Sequence, residues 1–174
     1  MNQDNAPIDP LTTSFLLDAN SEVLWFLKPK DSMPEYISAN PQGKDLWQAM
    51  LEYLPNLITV EPALVHIDYW SGNILWDQGA ISAVVDWEEA AQGDPGIDVA
   101  YCRMDMILSG MGEAADRFLA TYEKETGRPV ANLGFWELAA AVRPMLTPEG
   151  WISESPAKER FVGYVDAAIE RTRL

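Results

Sequence analysis

The stretch from Val65 to Ala90 constrains the fold more than any other part of the chain. It reads Val-His-Ile-Asp-Tyr-Trp-Ser-Gly-Asn-Ile-Leu-Trp from Val65 to Trp76, and Ile-Ser-Ala-Val-Val-Asp-Trp-Glu-Glu-Ala from Ile81 to Ala90. Asp68 and Asn73 bracket Tyr69-Trp70-Ser71-Gly72, whose serine and glycine predict a loop that turns back before a strand begins at Ile74. Asp77-Gln78-Gly79-Ala80 reads as a turn, and Ile81–Val85 as a return strand of β-branched and apolar residues. A short antiparallel hairpin results, with Asp86 at the end of the return strand, beside Asn73. Carboxylate and amide oxygens converging from opposite ends of a hairpin suit a hard cation that keeps phosphate and water oxygens in its shell, and magnesium is the natural candidate.

An aspartate, an asparagine five residues on and a second aspartate after a hairpin are also the side chains that phosphoryl transfer asks of one lobe of a kinase. The motifs His66-Ile67-Asp68, Asn73, Asp86-Trp87-Glu88, Gly93-Asp94-Pro95 and Asp98-Val99-Ala100 occur in that order. In this the chain resembles the aminoglycoside phosphotransferase and choline kinase-like superfamily, from about Leu46 to Leu174. The resemblance implies ATP and Mg2+ as cofactors, Asp68 as catalytic base, and Asn73 and Asp86 as the metal and nucleotide ligands. It further implies His66 as a support of the loop and Asp98 as a structural acceptor for the loop backbone. Taken as residues alone, Asp68 and Asn73 also suit turns, His66 also suits a general base or metal ligand, and Glu88 and Glu89 suit a solvated helix start. Tyr69 and Trp70 suit an acceptor pocket for a cationic amine as well as they suit a core, whereas Trp87 is expected to pack.

Two departures from the family pattern stand out. Ile67 occupies the slot where the family has glycine, so a positive φ there would strain a β-branched residue. Residues 1–65 contain no Gly-x-Gly-x-x-Gly phosphate-covering loop. Residues 15–28, two apolar runs around Asp18-Ala19-Asn20-Ser21, predict a hairpin ending on Lys28, either a phosphate contact or a solvated edge lysine. The expected organisation is residues 1–40 as an N-terminal extension, a vestige of a nucleotide lobe, and residues 41–174 as a kinase-like C-terminal lobe. On that reading the chain alone is weak or inactive as a kinase. The alternative is a non-catalytic binding module that forms a homodimer through an exposed apolar face, or half of a split enzyme completed by a partner chain.

The remainder predicts helices over Gln42–Tyr53, Ile97–Leu108, Glu113–Glu125, Leu133–Val142 and Ala157–Arg171, with Pro144 and Pro148 in a loop held down by Trp151. Asp94 is expected to cap the helix that follows it. The fold class is therefore mainly α with a small β-hairpin (α+β), the C-terminal lobe of a protein-kinase-like fold. At 174 residues, 48% hydrophobic and with seven tryptophans, the chain has ample material for one core. A net charge of −15 argues against nucleic acid and anionic membrane as partners. It suits a cationic small-molecule acceptor, though solubility is the plainer explanation. One cysteine, Cys102, no basic and apolar leader, and no apolar run of membrane-spanning length make cytoplasm the default expectation.

Overall fold

The structure, a computed structural model, describes residues 18–27 and 32–173. Short helix α1 (Ala19–Val23) and a 3₁₀ turn (Trp25–Leu27) lead into α2 (Glu35–Ser38) and α3 (Gly43–Tyr53). Strands β1 (Ala63–Val65), β2 (Ile74–Asp77), β3 (Ala80–Val84) and β4 (Ala91–Gly93) follow. Five helices close the chain: α4 (Gly96–Leu108), α5 (Gly112–Thr126), α6 (Leu133–Leu146), α7 (Pro148–Trp151) and α8 (Ser155–Thr172).

The hairpin expected around Asp18-Ala19-Asn20-Ser21 is helical instead. Asp18 Oδ1 accepts from the Asn20 amide at 3.2 Å and its Oδ2 from the Ser21 hydroxyl at 2.6 Å. The aspartate thus caps a helix start, which competes with a turn for the same residue types. Lys28 lies outside the described residues. Ala19, Phe26 and Leu27 are buried in the same core as α3, α6 and α8. Gly93 permits this approach, because a Cβ there would lie 2.6 Å from the Ala19 Cβ and 2.7 Å from Asn20 Oδ1.

The β2–β3 hairpin pairs Ile74 with Val84 and Asp77 with Ala80. Its turn residues Gln78 and Gly79 both take positive φ, 48° and 83°, as a tight hairpin turn matched to strand twist requires. A second antiparallel ribbon, β1–β4, pairs Val65 with Ala91 and Ala63 with Gly93. It sets the chain just before His66 against the chain just after Glu89.

Apolar spacing builds the helical layer. Leu46, Trp47 and Met50 bury one face of α3, while Phe161, Tyr164, Val165 and Ala168 do so on α8. Helix α6 is buried nearly all round and forms the centre of the lobe. By contrast α5 buries only Ala115 and lies outside. Pro144 does not end α6 as the sequence suggests: it sits buried in the last turn, where its missing N–H costs one intrahelical bond and apolar packing holds the ring. Trp151 packs against Trp70 and Tyr101, with ring centres 6.4 and 5.9 Å away. No described helix is long and apolar enough to cross a membrane.

Cys102 is buried on α4, and burial, with Asp105 and Asp98 nearby, pushes its thiol up to about 12. At pH 8 that leaves about one thiol in ten thousand ionised. The expected result is negligible reaction with a disulfide reagent at pH 8 in the folded state, and stoichiometric reaction in denaturant.

Candidate functional site

Loop residues 66–73 run from β1 to β2 beneath the hairpin and are strapped to α4. Asp98 Oδ2 accepts from the His66 amide at 2.7 Å, and Asp98 Oδ1 from the Ile67 amide at 2.8 Å. Two turns further along the same face of α4, Asp105 Oδ2 accepts from both the amide and the hydroxyl of Ser71, at 3.2 and 2.7 Å. Burial pushes the Asp98 carboxyl above its ordinary range, while the two amides, His66 and Arg143 pull it back. His66 is buried, and its Nε2 donates to the Val85 carbonyl at 2.8 Å, tying the loop to the return strand. With the proton on Nε2, Nδ1 is a buried acceptor without a partner among the described residues. Trp87, assigned by sequence to packing, is half exposed, yet its ring centre lies 4.6 Å from that of His66.

Ile67 takes φ 69° and is buried. A β-branched side chain in this left-handed region costs on the order of 1–3 kcal/mol, which the surrounding contacts must offset. The bend that it makes turns Asp68 towards Asn73. Asn73 is buried, and its Nδ2 donates to the Asp68 carbonyl at 2.9 Å and to Asp68 Oδ2 at 3.0 Å. Asp68 itself is partly buried, with a quarter of its side chain accessible.

Asp86 follows the strand that hydrogen-bonds Asn73: the Val85 amide donates to the Asn73 carbonyl at 3.0 Å. Its own φ is 67°, and its side chain is exposed. The structure thus joins Asp68 to Asn73 side chain to side chain, and ties Val85, the residue before Asp86, to Asn73 through the backbone. Among the described residues no three His, Cys, Asp or Glu side chains form a complete metal-binding cluster. Glu88 is exposed and Glu89 pairs with Arg143. Asp94 does more than cap α4: its Oδ1 accepts from the Gly96 amide at 2.8 Å, while Oδ2 accepts from Asn132 Nδ2 and Trp136 Nε1, at 3.1 and 2.7 Å.

Sequence reasoning missed Arg143, whose Nη1 donates to Asp68 Oδ1 at 2.8 Å. A signal for it existed. Helix α6 reads Leu-Gly-Phe-Trp-Glu-Leu-Ala-Ala-Ala-Val-Arg-Pro-Met-Leu, with Glu137 and Arg143 as its only charges, and a charge in so apolar a helix needs a specific partner. Beside Arg143 opens a cleft of about 600 Å³. Trp25, Tyr101, Trp136 and Trp151 line it, with Glu22, Glu88 and Glu89 contributing carboxylates.

Comparison with known proteins bears on the family and the fold. The profile of the Phosphotransferase enzyme family matches residues 15–133, beginning well before Leu46. A Hygromycin-B 4-O-kinase of Escherichia coli is 54% identical over 37 residues, 21% of this chain and 11% of that protein. The crystal structure of a thermostable mutant of the aminoglycoside phosphotransferase APH(4)-Ia, in apo form, superposes with a TM-score of 0.57 at 22% identity, over 87% of this chain and 52% of that one. A choline/ethanolamine kinase family protein from Mesorhizobium loti superposes with a TM-score of 0.48 at 15% identity, over 91% of this chain and 54% of that one. The chain therefore spans about half the length of the solved structures that it matches. Its helical lobe with small antiparallel ribbons is a kinase-like fold. With the family profile covering more than half of its residues, including the loop of Asp68 and Asn73, the chain belongs to the phosphotransferase enzyme family.

Proposed function

We propose that this chain carries the catalytic loop of an ATP- and magnesium-dependent phosphotransferase that moves the γ-phosphoryl group to a hydroxyl of a small molecule. The observation that carries the reading is the Asp68–Asn73 side-chain bond at 3.0 Å, with Asp86 next in the chain after Val85, whose amide donates to the Asn73 carbonyl. Asp68 would orient the acceptor hydroxyl and take up its proton. Asn73 spends Nδ2 on Asp68, which leaves its amide oxygen, with the exposed Asp86 carboxylate, for a hard cation. Two oxygen ligands from the protein suit magnesium, which fills the rest of its shell with water and phosphate oxygens. When bound, magnesium would neutralise charge on the transferring oxygens. His66 and Asp98 hold the loop, and Asp68 is thereby fixed relative to the hairpin.

The aromatic cleft rimmed by Glu22, Glu88 and Glu89 suits an acceptor bearing an ammonium group, because carboxylates and aromatic faces both attract cations. The short match to a hygromycin kinase makes amino-sugar hydroxyls the first acceptors to try. Turnover by these 174 residues alone is expected to be weak, since residues 1–65 hold no glycine-rich loop to cover the phosphates.

Calorimetric titration with ATP in the presence of magnesium tests the site. Binding that vanishes with EDTA and weakens at least about tenfold in Asp86→Ala is the expected result. Heat that is indifferent to magnesium and to Asp86→Ala would overturn it. A second reading, a non-catalytic module or half of a split enzyme, is favoured by the exposed apolar side chains of Leu64, Leu75, Trp76 and Ile81 on the two ribbons. Absence of nucleotide binding together with a dimer in sedimentation would select it.

A further inference from the structure

The Arg143 guanidinium touches four groups. Nη1 donates to Asp68 Oδ1 at 2.8 Å, Nη2 donates to the Ile67 carbonyl and to Glu89 Oε2 at 3.3 Å each, and the guanidinium carbon lies 4.4 Å from the centre of the Tyr101 ring. Ile67 is therefore held on both sides, its N–H by Asp98 and its carbonyl by Arg143. Asp68 is held at both carboxylate oxygens, Oδ1 by Arg143 and Oδ2 by Asn73. A planar guanidinium stacked on an aromatic ring is suited to such a task, because its fork reaches two acceptors in fixed directions where an ammonium acts as a point charge.

We propose that Arg143 is a positioning residue that lets this loop carry isoleucine at position 67, holding the left-handed peptide in place and aiming the Asp68 carboxylate at once. A glycine would adopt φ 69° without restraint. An isoleucine relaxes towards negative φ unless both of its peptide groups are held, and any such relaxation swings Asp68 away from Asn73. The role rests on reading Asp68 as the reactive carboxylate, but the restraint itself is a property of the resting protein.

The test uses isotope-labelled protein, observing the Asn73 side-chain amide by NMR, since that group donates to Asp68. In Arg143→Met the Asn73 Nδ2 resonances and the Ile67 and Asp68 backbone amides are expected to move. Arg143→Lys, with the charge but not the fork, should give a smaller displacement. Adding Ile67→Gly to Arg143→Met should return the Asn73 resonances towards those of Ile67→Gly alone, a rescue that a mere packing role for Arg143 would not produce. Unmoved Asn73 resonances in Arg143→Met, or no rescue by glycine, would overturn the proposal. If Arg143→Met does not fold, the lysine variant with and without Ile67→Gly decides between the same outcomes. Where turnover is measurable, kcat is expected to fall about ten- to a hundredfold with KM for ATP unchanged. Weak or absent turnover in the parent chain is the expectation already stated, so the NMR comparison judges Arg143 by itself, while the calorimetric titration with ATP and magnesium judges the phosphotransferase reading.

Discussion

Replacing Asp98 with alanine is expected to destabilise the protein by about 3–5 kcal/mol and to unfasten the loop that carries Asp68. The carboxylate accepts from two consecutive backbone amides, at 2.7 and 2.8 Å, and hydrogen bonds to a charged group contribute about 1.5–3 kcal/mol each. Removing it leaves the amides of two buried residues, His66 and Ile67, without their acceptor, and one of them belongs to a peptide already held at φ 69°. The melting temperature should drop on the order of 10 °C. Hydrogen exchange at the His66 and Ile67 amides should accelerate more than exchange in α8, because the Asp98 carboxylate bonds those two amides directly. Asp98→Asn should recover part of the loss, as its one carbonyl oxygen can serve one amide while its NH2 opposes the other. A melting temperature within about 2 °C of the parent for Asp98→Ala would show that the strap carries little of the loop's order.

Glu137→Leu is expected to cost a similar amount, about 3–5 kcal/mol, for a different reason. Glu137 is fully buried on α6 between Arg103 of α4, whose Nε donates to it at 3.0 Å, and Arg171 of α8, whose Nη1 donates at 2.7 Å. Arg103 is almost fully buried, so losing its carboxylate strands a positive charge in the core, and breaking such a pair from one side is far costlier than deleting both ends. Asp116, which also meets Arg103 at 3.3 Å, is 77% exposed and cannot take over, and Asp116→Ala should cost less than about 1 kcal/mol. Urea titrations of the two variants check the contrast. Equal midpoints would mean that the buried network does not hold the three helices together.

Local pattern reached far into this structure where one face of an element, or one short turn, decided the outcome. The β2–β3 hairpin was legible because Asp77-Gln78-Gly79-Ala80 lies between two short apolar runs and the pairing partners are neighbours in sequence. The five main helices were legible from apolar spacing. The segment Asp18–Leu27 was misread because aspartate and serine serve a turn and a helix cap equally well, and the choice fell to burial of Ala19, Phe26 and Leu27 against distant elements. Pro144 misled in the same way, since a local breaker was overruled by the packing around it.

For the candidate site, the five-residue spacing of Asp68 and Asn73 already stated that these two side chains meet in the loop, and Ile67 already announced a conformational cost. Arg143, Asp105 and the β1–β4 ribbon needed the folded chain. Arg143 lies 75 residues from Asp68, and no periodicity records which acceptor a charge on an apolar helix will find. By itself the amino-acid order determined the turn, the helices and the pairing of Asp68 with Asn73, because those depend on neighbours a few residues apart. Tertiary structure alone decided how the strained peptide at Ile67 is held and where Asp68 points, because both depend on carboxylate and guanidinium groups that only the packing of α4 and α6 brings to the loop.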